Sequence, residues 1–121
     1  MVIINGNVWT LYGPVPVQDL KVGDKVLDRK PSVREVLDIQ LVSVDKALKF
    51  EDHSFAVSAD TEVYTAFGPK KVTENTALLA RREDFSVMPV KAYIEDVDAI
   101  GYKLVIKDGS DLYVNGYNMQ L

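Results

Sequence analysis

The stretch VWTLYGPVPV at residues 8–17 returns as VYTAFGPKKV at residues 63–72, and this repeat suggests a plan for the whole chain. Five of the ten positions are identical, and Trp9 and Tyr12 of the first copy are matched by Tyr64 and Phe67 in the second. Each copy is typical of a strand, a tight turn at Gly-Pro and a second strand. We therefore expect two related hairpins that bury their aromatic faces against each other about a pseudo-twofold axis. The alternative is two unrelated hairpins that share common turn chemistry.

The hydrophobic pattern of the remaining chain is that of strands. Short apolar alternation runs through residues 32–48, 54–67 and 102–117, with polar or glycine breaks between the runs. Helical signals are weak: one turn is predicted at Gln18 to Lys21, and a short helix from Thr73 to Leu79 with Thr73 as its N-cap. The pattern predicts a small, compact all-β fold.

Composition limits the classes of function that remain. A chain of 121 residues with 47% hydrophobic and 26% charged residues fits a single domain over residues 1–121. Its apolar runs are too short to cross a membrane, and a net charge of -4 opposes binding to nucleic acid. The sequence contains no cysteine, which excludes disulfides, thiolate metal ligands and cysteine nucleophiles.

Three stretches, in order, resemble the conserved blocks of the Hint (hedgehog/intein) domain family. NVWTLYGPVPVQDLKVGDKVLD (residues 7–28) is similar to the opening block, VSADTEVYTAFGPKKV (residues 57–72) to the middle block, and GYKLVIKDGSDLYVNGYNMQL (residues 101–121) to the closing block. The resemblance implies an all-β, pseudo-twofold, horseshoe-like fold of many short strands. It also implies an internal repeat over about residues 8–27 and 63–82, and an ancestral ability to splice or cleave the chain's own backbone.

The resemblance also marks positions for the first step of that chemistry, an acyl shift. Family spacing places the Cys or Ser nucleophile at Met1, whose thioether has no ionisable proton and cannot attack a carbonyl. The Thr and His of the middle block fall on Ser58 and Thr61. A serine can keep a hydrogen bond, but a threonine cannot replace an imidazole in proton transfer.

The closing block shows the same loss of reactive groups. The family's turn histidine falls on Ser110, its acidic position on Lys103, and its terminal His-Asn pair on Gln120 and Leu121. Leucine has no side-chain amide to cyclise. We therefore expect no catalytic residues, and we interpret all seven matched positions as degenerate.

Other polar groups offer no better site. The single histidine, His53, is interpreted as an ordinary loop residue, and adjacent Glu51 and Asp52 would point in different directions on an extended chain. The acidic residues of YIEDVDAI (residues 93–100) are interpreted as a solvated turn, without the spaced ligands of a calcium loop. Ser54, like the serines already named, has no base in a recognisable constellation. No metal and no cofactor are expected.

These observations favour a splicing-inactive Hint-like domain that is a structural or interaction module, soluble and either cytoplasmic or within a viral assembly. Its expected partner is a protein or its own flanking polypeptide. The alternative is residual autoprocessing by Ser58 or a nearby hydroxyl. A third reading is an unrelated β domain that binds a ligand in an aromatic cleft around Trp9 and Tyr12.

Overall fold

Ten short strands and two long ones make up most of the described chain. The computed structural model describes residues 1–30, 32–51, 54–65, 67–71, 76–80 and 87–121, with residues 76–80 and 87–90 described as backbone. The strands are β1 (Ile3–Asn5), β2 (Asn7–Thr10), β3 (Gly13–Pro16), β4 (Lys25–Leu27), β5 (Val33–Phe50), β6 (Ala56–Ser58), β7 (Glu62–Thr65), β8 (Gly68–Lys71), β9 (Thr76–Ala80), β10 (Val87–Ile106), β11 (Asp111–Val114) and β12 (Tyr117–Gln120). A 3₁₀ turn at Val17–Asp19 lies close to the predicted turn at Gln18 to Lys21.

The strands form one antiparallel sheet that closes on itself. The hydrogen-bonded order is β11-β12-β7-β9-β10-β1-β6-β5-β4-β2-β3, with β8 beside β7 and further pairings of β11 with β2 and of β10 with β5. Because β11, at one end of this order, also pairs with β2, next to the other end, the sheet closes, and the enclosed side chains form a single core. The all-β prediction is confirmed.

The pairings obey a pseudo-twofold relation between strands β1–β5 and strands β6–β10. The hairpin β2–β3 corresponds to β7–β8, and the pairing of β2 with β4 corresponds to that of β7 with β9. The long strands β5 and β10 pair with each other, as β1 and β6 do. The hairpin β11–β12 lies between the halves, with Val114 opposite Val8 and Met119 opposite Val63.

The repeated hairpins are closed by the same threonine contacts. The Thr10 hydroxyl donates to the Gly13 carbonyl at 2.7 Å and accepts from the Tyr12 amide at 3.2 Å. The Thr65 hydroxyl donates to the Gly68 carbonyl at 2.8 Å and accepts from the Phe67 amide at 3.1 Å. The reversal precedes the Gly-Pro pair in each copy, and the glycine has a positive φ, 108° at Gly13 and 91° at Gly68, that an L side chain rarely adopts.

The prediction that the aromatic faces of the hairpins pack together is wrong. Tyr12 and Phe67 at the hairpin tips are 91% and 80% exposed. Trp9 and Tyr64 are only partly buried, and the guanidinium of Arg29 lies 4.3 Å from the centre of the Tyr64 ring. The valine and threonine of each copy face the core instead, because the side chains of a strand alternate between its two faces.

The predicted helix from Thr73 to Leu79 is also wrong over the part that is described. Residues Thr76–Ala80 form β9, which pairs with the start of β10, while Thr73 lies outside the described residues. The favourable pairing with a long neighbouring strand outweighs the weak helix propensity of this segment. Among the described residues, no helix is long and apolar enough to span a membrane.

We expect loss of the Thr10 hydroxyl to destabilise the fold. Thr10→Val should lower the free energy of unfolding by about 1 to 3 kcal/mol. The variant loses the hydrogen bond that the hydroxyl donates to Gly13 and the one that it accepts from Tyr12, and Thr10 is only 6% exposed. Urea denaturation measures the change.

Thr10→Ser is the matched control, since it keeps the hydroxyl and removes only a methyl group. Equal stability of the valine and serine variants would show that the hydroxyl does not stabilise the turn. The corresponding pair at Thr65 should behave in the same way, because its contacts are the same.

Candidate functional site

Two hydroxyl side chains meet where β6 turns into β7. Ser58 is the last residue of β6, and Thr61 immediately precedes β7. A tight turn joins them, in which the Thr61 amide donates to the Ser58 carbonyl at 3.1 Å. Their hydroxyl oxygens are 3.2 Å apart, and the residues are 8% and 2% exposed. We call Ser58 and Thr61 the hydroxyl pair.

The beginning of the chain lies directly against the hydroxyl pair. The Val2 amide donates to Ser58 Oγ at 2.9 Å, and the Ser58 amide donates to the Val2 carbonyl at 2.8 Å. Met1 is partly buried and packs against the hydrophobic core. Three positions that the sequence matched to the acyl-shift step, Met1, Ser58 and Thr61, are therefore neighbours in the structure.

Gly101 in β10 allows the start of the chain to lie close to this strand. A Cβ at this position would collide with Cγ1 of Val2 and would lie 3.1 Å from the carbonyl oxygen of Ile3. Only a glycine lets β10 pass this close to the start of β1, so Gly101 sets the position of residues 1 and 2. The sequence reasoning missed this role, although an isolated glycine within a strand pattern is a signal for close backbone approach.

Asp60, between the two hydroxyls in sequence, is the ionisable group of this site. The Ser58 hydroxyl hydrogen-bonds to its carboxylate and lowers the pKa of Asp60 below the ordinary value of 3.8, and the positive charges of the amino terminus and Lys71 act in the same direction. Ser58 Oγ also accepts from the Val2 amide at 2.9 Å and lies 3.2 Å from the Thr61 hydroxyl. A cleft of about 580 Å³ beside the hydroxyl pair is lined by Ser58, Asp60, Lys46 and Lys71 among others.

A second polar cluster surrounds a buried carboxylate at the start of β11. Asp111 is 5% exposed and accepts hydrogen bonds from the Ser110 hydroxyl at 2.7 Å, the Asn118 side-chain amide at 2.6 Å and the Arg29 backbone amide at 2.7 Å. The Gln120 side-chain amide donates to Asn118 Oδ1 at 3.2 Å and extends the cluster. Asp111 and Asn118 were missed by sequence reasoning, because only their burial distinguishes them from ordinary turn residues.

Of the remaining sequence-matched positions, Ser110, Gln120 and Leu121 lie together at the second cluster, and Lys103 lies apart from it. The Leu121 amide donates to the Ser110 carbonyl at 3.0 Å, so the chain end stays beside the second cluster. Met119 lies opposite Val63, and continuing this antiparallel register by two residues brings Leu121 toward Thr61. Lys103 is in neither cluster: it is exposed on β10, opposite Gln40.

The other polar candidates are accounted for as follows. His53 and Asp52 lie outside the described residues, and the described part of the chain contains no cluster of three or more His, Cys, Asp or Glu able to hold a metal ion. The acidic residues predicted as a turn lie within β10 at a bulge instead. Two of them form ion pairs, Glu95 with Lys49 and Asp96 with Lys46, and the contact with Glu95 raises the pKa of Lys49.

Comparison of the chain with families and curated proteins identifies no relative: no family model matches, and no curated protein matches. Solved structures do match over the whole chain. The solution structure of a bacterial intein-like domain from Clostridium thermocellum has a TM-score of 0.80 and 18% identity, covering 99% of this chain and 98% of that one. The crystal structure of the gp41-1 intein has a TM-score of 0.74 and 20% identity, covering 99% and 97%. The crystal structure of the MchDnaB-1 intein has a TM-score of 0.67 and 14% identity and covers both chains fully.

These similarities extend from end to end and agree with the pseudo-twofold strand pairing described above. At such low identity they establish the fold alone. The chain therefore has the intein-like Hint fold.

Proposed function

We propose that this chain is an intein-like Hint domain that no longer splices and that acts as a structural or interaction module of a larger protein, such as a component of a viral particle. Its partner is a protein or its flanking polypeptide, because a net charge of -4 opposes nucleic acid as a general ligand. The observation that carries the proposal is the hydroxyl pair: the positions for an acyl shift meet in space, but none of them bears a thiol or an imidazole.

The contacts of Ser58 support an inert site. An attacking hydroxyl needs a free lone pair directed at a carbonyl and a base to take its proton. One lone pair of Ser58 Oγ accepts from the Val2 amide, and the Thr61 hydroxyl lies 3.2 Å away. The lowered pKa of the nearby Asp60 carboxyl makes it a weak base near neutral pH.

The second polar cluster supports the same conclusion for the last step of splicing in the Hint family, in which a terminal asparagine cyclises and releases the downstream segment. A side-chain amide must reach its own backbone carbonyl to cyclise and break the chain. The amide of Gln120 is engaged with Asn118, and Leu121 carries no amide. The hydroxyl of Ser110 is bound to Asp111. These groups form a satisfied hydrogen-bond network that stabilises the end of the sheet.

The proposal predicts an unbroken chain. With one polypeptide fused before residue 1 and another after residue 121, mass spectrometry after long incubation should show the intact fusion alone. Such a fusion with Thr61→His tests whether an imidazole at this position restores breakage. Cleavage or joining of the fused segments in the unaltered domain would overturn the proposal.

Residual autoprocessing is the second candidate, and the contact of Ser58 Oγ with the Val2 amide at 2.9 Å is the observation that favours it. If the Ser58 hydroxyl attacked the Met1 carbonyl, the Met1–Val2 peptide bond would break. The acyl group would then be held as an ester on Ser58, and the proton would pass to the Val2 nitrogen, which leaves as a free amine. Hydroxylamine would cut that ester. This candidate therefore predicts hydroxylamine-sensitive breakage near residue 2 that disappears in Ser58→Ala. Thr61→Val is the matched control, since it removes the neighbouring hydroxyl and keeps Ser58.

We further predict the titration of Asp60. Ser58→Ala should raise the pKa of Asp60 toward its ordinary value of 3.8, because the hydrogen bond to the carboxylate is lost. NMR titration of the Asp60 carboxyl measures this shift, with Thr61→Val as the control that leaves it in place.

The lowered pKa also sets a sign for the pH dependence of stability. The carboxylate stabilises the folded state above the ordinary value of 3.8, and this contribution is lost as the pH falls through the lower pKa of the folded state. Ser58→Ala should lose less stability than the unaltered chain across that acidic window. An Asp60 pKa that is the same in both proteins would contradict the hydrogen bond.

A further inference from the structure

The outer edges of the two repeated hairpins differ in the number of prolines that they carry, two in β3 and one in β8. In β3, Pro14 lies opposite Trp9 and Pro16 lies opposite Asn7. Proline has no amide hydrogen, so these are non-hydrogen-bonded pairs in which the proline nitrogen faces away from the partner strand. The outer edge of β3 therefore offers no amide donor at either position and is closed to a further strand.

The outer edge of β8 lacks this closure. Pro69 lies opposite Tyr64, which makes that pair non-hydrogen-bonded, and by alternation the pair of Lys71 with Glu62 is non-hydrogen-bonded as well. The amide and carbonyl of Lys71 and the carbonyl of Pro69 therefore point away from β7. Where the first copy has Pro16, the second has Lys71, with an amide donor on the outer edge. Within the described ranges, β8 pairs with β7 alone.

The side chains at this edge select the kind of strand that fits. Lys70 and Lys71 are both exposed. Glu62 lies across from Lys71, whereas Lys70 lies across from Val63 and has no acidic residue opposite it. A second copy of this chain pairing edge to edge would bring lysines together, which is unfavourable. A strand that carries carboxylates would instead complement them.

We propose that the outer edge of β8 binds an extended acidic polypeptide as an added strand. Its backbone pairs with the Lys71 amide and carbonyl and with the Pro69 carbonyl, and its carboxylates face Lys70 and Lys71. This mode of recognition uses main-chain hydrogen bonds for affinity and side chains for selection. The inference rests on the proposed role as an interaction module and names the chemistry of its partner.

The test measures binding of a fluorescent peptide in which pairs of glutamates alternate with pairs of valines to the full chain by anisotropy. This pattern puts carboxylates on both faces of the added strand, because Lys70 and Lys71 project to opposite faces of β8. Lys71→Pro should weaken binding at least about tenfold, because it removes the amide donor as Pro16 does in the first hairpin. Lys71→Ala is the matched control, since it keeps the amide and should bind more tightly than the proline variant. Thermal melting confirms that each variant is folded.

Charge reversal keeps the test decisive if the proline variant does not fold. The double variant Lys70→Glu and Lys71→Glu should prefer a peptide of the same pattern with lysines in place of the glutamates over the glutamate peptide. The proposal is overturned if the unaltered chain does not bind the glutamate peptide, or if it binds the glutamate and lysine peptides equally. It is also overturned if Lys71→Pro binds the glutamate peptide as well as Lys71→Ala does. Self-association in sedimentation that Lys71→Pro abolishes would assign the edge to a second copy and also overturn it. None of these outcomes depends on chain cleavage, so they are distinguishable from failure of the proposed function.

Discussion

The whole architecture depends on the hairpin β11–β12 being held between the two repeated hairpins. Neither repeat could bury its valine and threonine face alone, since a two-stranded hairpin is marginal in water. Val114 beside Val8 and Met119 beside Val63 supply the missing neighbours, and all four side chains are fully buried. The buried network around Asp111 fixes the open end of this central hairpin by joining its two strands to the backbone of Arg29. At its turn, Asn115 and Gly116 adopt the positive φ values that a two-residue connection requires.

Much of this architecture could be predicted from the sequence, and the errors have identifiable physical causes. Alternating apolar residues and a repeated decapeptide predicted an all-β, pseudo-twofold fold, because period-two patterning and tight-turn residues are local signals. Which face of a repeat is buried is a tertiary property. The valine and threonine of each repeat lie on the face that the rest of the sheet buries, so Trp9 and Tyr64 were misplaced in the core. Thr76–Ala80 was mistaken for helix for a similar reason, since its strand state depends on pairing with β10.

At the candidate site, the sequence identified residues that belong to a recognisable block but not residues whose role depends on their neighbours in the fold. Ser58 and Thr61 were identified from their places in a block resembling the Hint family, and the structure brings them together beside Val2. The roles of Asp60, Gly101 and Asp111 were not predicted. The pKa of Asp60 is lowered mainly by the Ser58 hydroxyl, whose proximity depends on the turn, whereas Gly101 and Asp111 contact groups distant in sequence, β1 and the loop containing Arg29. A short polar residue in a turn has the same appearance in sequence whether it is solvated or buried in a network. The assignment of the matched positions as degenerate remains a prediction from residue identity.

The pairing of Val8 with Val114 constrains how the chain can fold during synthesis. The first hairpin is synthesised well before Val114, its neighbour in the sheet. Strand β1 likewise cannot pair with β10 until Tyr102, which lies opposite Ile3, has been synthesised. Contacts of such high sequence separation are formed late and slowly. Until then, the apolar face of the first hairpin is exposed, and the prolines that close the outer edge of β3 protect the nascent chain from pairing with other strands.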